Sequence, residues 1–140
     1  MTTKTTVAFP IYGNITIDYS LAGTSRHLDF TSARSADFDV FNWVNGETYL
    51  GGPGIDPEWS ISFTFPKATG HYEIAHDGYT GGSLRNIKTG LVLPFTTGTI
   101  EVTQYVADTT VRGRLTNIGS SSDSTFLISS GVFSFAVASK

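Results

Sequence analysis

The chain has no cysteine, which excludes disulfide staples, a cysteine nucleophile and thiolate zinc or iron–sulfur sites. Charge is sparse too. Nine basic and twelve acidic residues leave a net charge of −3 over 140 residues, and the basic ones are scattered. Nothing in that distribution makes a footprint for nucleic acid or an anionic membrane, so neither is expected as a partner. Long apolar runs are missing. The stretch Val7 to Ile11 is short and interrupted by Pro10, unlike a signal-peptide core, and nothing approaches the roughly 20 apolar residues of a membrane-spanning helix. Location is left open between a cytoplasmic product, a mature form whose leader was removed, and a phage or secretion-system product without a cleavable leader. No window of a dozen residues carries apolar positions at helical period, so no helix longer than one or two turns is expected.

What the chain does have is strand chemistry. Hydrophobic residues make up 39%, aromatics 13%, and there are 15 glycines. A chain of this length buries roughly two-thirds of its unfolded surface as one domain, without metal or disulfide. The expectation is a single all-β domain over residues 1–140, an antiparallel β-sandwich or small closed barrel of about 8–10 strands.

Period-2 alternation is clearest in Trp59-Ser-Ile61-Ser-Phe63-Thr-Phe65, which places the four large residues on one buried face and is ended by Pro66. The same period marks Ile15, Ile17, Tyr19 and Leu21, then Ile100 and Val102, then Phe133, Phe135 and Val137. Further strands are expected at Val7 to Ile11, His27 to Ser32, Phe38 to Val44, His71 to His76, Gly90 to Phe95, Thr110 to Asn117 and Thr125 to Ile128. Turns are expected at Ala22-Gly23, Asn45-Gly46, Asp77-Gly78, Gly81-Gly82, Thr97-Gly98 and Gly119 to Asp123. Asn45-Gly46 is the best two-residue hairpin signal, because a type I′ turn needs positive φ at both central residues. The glycine- and proline-rich segment Gly51 to Glu58 reads as a wide loop.

The segments TGHYEI, TTGTIEVTQY, VRGRLTNI and SSGVFSFAV are glycine-started strands. Over residues 69–137 they resemble the repeated strands of small uncharacterised bacterial β-sandwich proteins. The resemblance implies a β-sandwich and brings no functional residues with it.

Three groups of side chains are candidates for chemistry. His71, Glu73 and His76 gather two imidazoles and a carboxylate, but on a strand His76 falls on the face opposite the other two. With His27 and Asp29 a two-histidine, one-carboxylate site can be drawn, although no spacing compels it, and solvated strand and loop residues are the better explanation of the group. Asp37 and Asp39 share a strand face, where like charges serve to keep an edge strand soluble. No G-x-S-x-G elbow or phosphate-binding loop is present, so no catalytic residue, metal or cofactor is expected.

The third group is aromatic. Phe41, Trp43, Tyr49, Tyr79 and Tyr105 lie near turns or beside polar residues, where they would form either the rim of the core or a contact patch. If Phe38 and Val40 point to one face and Phe41 and Trp43 to the other, the strand is apolar on both sides and something must cover it.

The leading expectation is therefore a non-catalytic binding or self-assembling β module that contacts protein or glycan through Phe41, Trp43, Tyr49 and Tyr79, and that can form a homo-oligomer. The alternative is a ligand-binding or enzymatic barrel with a pocket lined by Trp59, Phe63 and Tyr72 and a ligand oriented by His71 or Glu73. A secreted toxin or other membrane-active β protein is a minor third.

Overall fold

A computed structural model describes residues 10–38, 40–48, 58–74 and 79–137. Tyr49, His76, Asp39, the Gly51 to Pro57 part of the wide loop, the Asp77-Gly78 turn and the segment before Pro10 lie outside these described residues. The elements are β1 (Ile11–Leu21), β2 (Thr24–Asp37), β3 (Phe41–Glu47), β4 (Trp59–Pro66), β5 (Gly70–Glu73), β6 (Gly81–Asn86), β7 (Val92–Pro94), β8 (Thr97–Val106), β9 (Thr110–Ser120) and β10 (Asp123–Ala136), with no helix among the described residues. The protein is all-β, as its composition implies.

All ten strands join one antiparallel sheet in the order β5-β8-β9-β10-β1-β2-β3-β4-β6-β7. The sheet curls into a half-barrel. It is not a closed barrel, because β5 and β7 remain its two edges and no ladder joins them among the described residues. Bulges feed the curl by adding local twist: the β1–β2 register shifts between Gly13 and Ile15, and the β1–β10 register between Asp18 and Tyr19. At the far end the chain passes from β7 to β8 through Phe95 and Thr96, whose amides donate to Gly82 O on β6 (2.8 Å) and Gly119 O on β9 (2.9 Å).

Curling brings β4 against β10, four places away in the sheet. The Phe63 ring meets Phe133 edge-on at 5.2 Å between centroids, and Phe65 stacks on Phe133 at 5.5 Å. Tyr19 of β1 meets Trp59 of β4 at 5.7 Å. Ile15, Ile17, Ile61, Ile100 and Phe135 complete an interior filled by side chains, so the strongest alternations do mark the core. Space for the Phe133 ring comes from Gly113 directly across the ladder, where a Cβ would lie 2.4 Å from Phe133 Cζ.

Several expectations need correction. Ala22-Gly23 is a two-residue hairpin turn, with φ of 52° and 83°, but Asn45-Gly46 is not a turn at all. Both residues sit inside β3, where Gly46 pairs with Ala33 on one side and Ile61 on the other. Glycine is required there by crowding: a Cβ would stand 2.9 Å from Phe30 Cβ and 3.0 Å from Ile15 Cδ1. Gly81-Gly82 likewise lies within β6 opposite Thr64 and Phe63, and Thr97-Gly98 opens β8 at a register shift. The stretches Thr125 to Ile128 and Phe133 to Val137 belong to one strand that ends at Ala136, which leaves Val137 past the last ladder pair and exposed. Leu21 is half-buried beside the turn.

Candidate functional site

Strand β3 alternates in the opposite sense from its neighbour β4. Asn42, Val44, Gly46 and Thr48 face inward and are buried, whereas Phe41, Trp43, Asn45 and Glu47 face outward. Parity makes this unavoidable. Once Gly46 occupies the narrow space under Phe30 and Ile15, every odd-numbered residue of the strand must point away from the core.

The aromatic residues do converge on the outer side. Phe38 is not on the face opposite Phe41, because the chain turns tightly before β3, with the Phe38 amide donating to Phe41 O at 2.8 Å. That turn folds the Phe38 ring onto Phe41 at 5.2 Å and sets it edge-on to Trp43 at 6.3 Å. Tyr79, from the segment leading into β6, also stacks on Phe41, at 6.4 Å. The Trp43 indole donates to Ser62 Oγ at 3.0 Å, and the Arg34 guanidinium lies over its ring at 5.3 Å. Of the four expected contact residues the structure therefore groups Phe41, Trp43 and Tyr79. It adds Phe38 and Arg34, and Tyr49 lies outside the described residues. Phe38 was legible as an aromatic but not as a member, since its side is set by a turn rather than by strand parity.

Beneath this surface runs a polar chain. Ser35 Oγ donates to Asn42 Oδ1 (2.6 Å), Asn42 Nδ2 to Asp37 Oδ1 (2.7 Å), and the Tyr105 hydroxyl on β8 to Asp37 Oδ2 (2.5 Å). Asp37 is thus half-buried and bonded, not an exposed charge on an edge strand. Burial, and then the Asp37 carboxylate it serves, hold the Tyr105 hydroxyl far above the ordinary phenol range. The chain links β2, β3 and β8, and fixes the strand that carries the aromatic surface.

The histidines lie elsewhere. His71 of β5 pairs with Glu101 of β8 at 3.2 Å, and Glu101 also meets Arg114 of β9 at 3.3 Å, all on the outer face. Glu73 is exposed opposite Thr99, and His76 lies outside the described residues. His27 of β2 is five ladder steps from Glu73 of β5 and sits between Asp18 and Asp29, with Nδ1 and Nε2 at 2.7 and 2.8 Å from their carboxylates. The two histidine strands therefore do not combine. Among the described residues no group of three or more His, Cys, Asp and Glu side chains is arranged to hold a metal. Trp59, Phe63 and Tyr72 do not share a pocket: the first two are packed in the core, and the Tyr72 hydroxyl donates to Ala68 O at the surface (2.8 Å). No helix of the described residues is long and apolar enough to cross a membrane, a statement that concerns helices and not strands.

Compared with known proteins, the chain matches no family model, no curated protein and no solved structure. The glycine-started strands of residues 69–137 gain no relative from these comparisons.

Proposed function

We propose that the protein is a non-catalytic binding or self-assembling β module that contacts protein or glycan through the outer face of β3. One observation carries the reading: Phe38, Phe41, Trp43 and Tyr79, drawn from β3 and two flanking segments, gather on the side of the sheet that faces away from the core. Outside an interior that already holds Phe30, Phe63, Phe65, Phe133 and Phe135, these rings bury only part of their surface against one another. Phe38, Phe41 and Trp43 are half-buried and Tyr79 is exposed, and a partly exposed aromatic cluster is the kind of surface that marks a contact site. The filled interior weighs against the ligand-barrel alternative, and the ion-paired histidines lend no support to an enzymatic one.

The test compares wild type with Phe41→Ala and Tyr79→Ala. Tyr79 is 44% exposed but stacks on Phe41, so its removal should change folding stability by no more than about 1.5 kcal/mol. Light scattering after size-exclusion chromatography reads self-association, and a glycan array reads sugar binding. Loss of either with the melting temperature nearly intact supports the proposal. If both variants keep the wild-type oligomeric mass and array profile, the aromatics are merely the rim of the fold.

A further inference from the structure

We propose that the groove beside the aromatic surface, on the outer face of β1, β2 and β3, binds a sugar ring of a neutral glycan. The inference rests on reading the outer face of β3 as a contact surface, and it names the ligand. The groove is lined by Tyr12, Ser32, Arg34, Asn45 and Glu47, with Gly13 and Ala33 at its floor. It exists because of the β1–β2 bulge: two residues, Thr31 and Ser32, have no ladder partner of their own opposite Asn14, and the sheet is bent where they stand. None of these five side chains was singled out by composition or alternation.

Two ladder rows set their spacing. Tyr12, Arg34 and Asn45 are successive partners across β1, β2 and β3, and Ser32 and Glu47 are partners in the next row. Strands lie about 4.8 Å apart, so the first row spans roughly 10 Å and ends on a phenol ring that is 66% exposed. That ring gives a wall against which the C–H face of a sugar can stack. Arg34 supplies donors, Glu47 acceptors, and Asn45 and Ser32 both, which matches the paired donor and acceptor demands of adjacent hydroxyls. Arg34 and Glu47 form no salt bridge with each other or with any other described residue, and the contact shown for the Arg34 guanidinium is with the Trp43 ring.

Other ligand classes fit less well. An anion would meet Arg34 but also the Glu47 carboxylate beside it. A peptide cannot add here as a strand, because β1, β2 and β3 are all paired on both sides. A lipid or apolar helix would find four polar side chains against one ring. Arg34 touches both the groove and Trp43, so a chain of several sugars lying across Tyr12 would continue onto Trp43 and its neighbours.

The experiment is an array of neutral and acidic oligosaccharides probed with the full chain, with the strongest hit titrated by calorimetry against wild type, Tyr12→Ala, Tyr12→Phe and Glu47→Gln. Binding of a neutral oligosaccharide is expected, weakened about tenfold or more by Tyr12→Ala and by Glu47→Gln, as suits the loss of a stacking wall or a charged acceptor, and kept by Tyr12→Phe. The retained affinity of Tyr12→Phe distinguishes loss of the ring from loss of the fold. Hits confined to acidic sugars, or neutral hits indifferent to Tyr12→Ala and Glu47→Gln, overturn the proposal. A blank array also overturns it. If Phe41→Ala still alters association in that case, the aromatic face survives as a protein contact; if Phe41→Ala alters nothing, both readings fall together.

Discussion

Strands β3 and β4 are neighbours, paired Val44 to Phe63, and both are rich in aromatics, yet they use them in opposite ways. On β4 the large residues point inward and the serines and threonine outward; on β3 Asn42, Val44 and Gly46 point inward and both aromatics, Phe41 and Trp43, outward. Hydrophobicity alone would bury both sets. The difference comes from volume, since the inner side of β3 faces Phe30 and Ile15 at a distance that admits no side chain at Gly46. An aromatic on a strand therefore reveals its face only once the neighbours across the core are known.

The comparison breaks most sharply at Phe63. Its ring is buried and held by Phe65 and Phe133, so Phe63→Ala should cost about 3–5 kcal/mol in denaturant unfolding. Trp43→Ala, one ladder step away on the outer side, should cost clearly less. Near-equal losses would mean that the two strands do not differ in the way described.

Gly46 comes next. In a packed strand Gly46→Ala should cost about 1–3 kcal/mol through overpacking against Phe30 Cβ, which cannot swing aside. Asn45→Thr separates strand from turn: on the outer side of β3 a β-branched residue should be tolerated within about 0.5 kcal/mol, whereas in a type I′ turn it would be forced to positive φ and destabilise clearly. A large loss for Asn45→Thr would restore the hairpin reading.

These positions show where the sequence was legible. Runs with large residues on one parity and small polar ones on the other, as from Trp59 to Phe65 and from Ile15 to Tyr19, disclosed strand, face and core together. Asn45-Gly46 misled because its dipeptide has a strong local preference, and packing across the interior overrode it. The patch was half legible. Phe41, Trp43 and Tyr79 stood out as surplus aromatics, but Phe38 joins through a turn and Arg34 through a cross-strand contact, and neither leaves a periodic trace. The groove owes its shape to a bulge, which no residue type announces.

A smaller effect is expected where β8 reaches across to the strand pair that carries the patch. Tyr105→Phe removes the donor to Asp37 and should cost about 1 kcal/mol, because Asn42 still serves the carboxylate. The phenol's raised pKa sets the pH sense: its contribution is complete below the ordinary value of 10.0 and is lost progressively as pH climbs above it, where the unfolded phenol ionises and the folded one stays protonated. Wild type should therefore weaken relative to Tyr105→Phe above about pH 10, as read from paired unfolding curves. A difference between the two curves that does not change with pH would show that the fold does not raise the pKa of this phenol.

The smallest effect belongs to His27, on the solvent side of β2, away from the packing that sets β3 against β4. Both ring nitrogens lie within hydrogen-bond distance of carboxylates, and a neutral imidazole can donate from only one, so the geometry favours the imidazolium. The bonds to Asp18 first and Asp29 second raise its pKa above 6.5. A raised value means that the stabilisation is fully present below the unfolded pKa near 6.5 and disappears as pH rises through the folded one. Exposure to solvent keeps the effect slight, so the test is spectroscopic: the His27 ring resonances should titrate above pH 6.5, and Asp18→Asn should return the midpoint towards that value further than Asp29→Asn does. A midpoint at or below 6.5 in the wild type would show that the two carboxylates do not hold the ring. Loss of that bridge would leave β1 and β2 joined at this row by their backbone ladder alone.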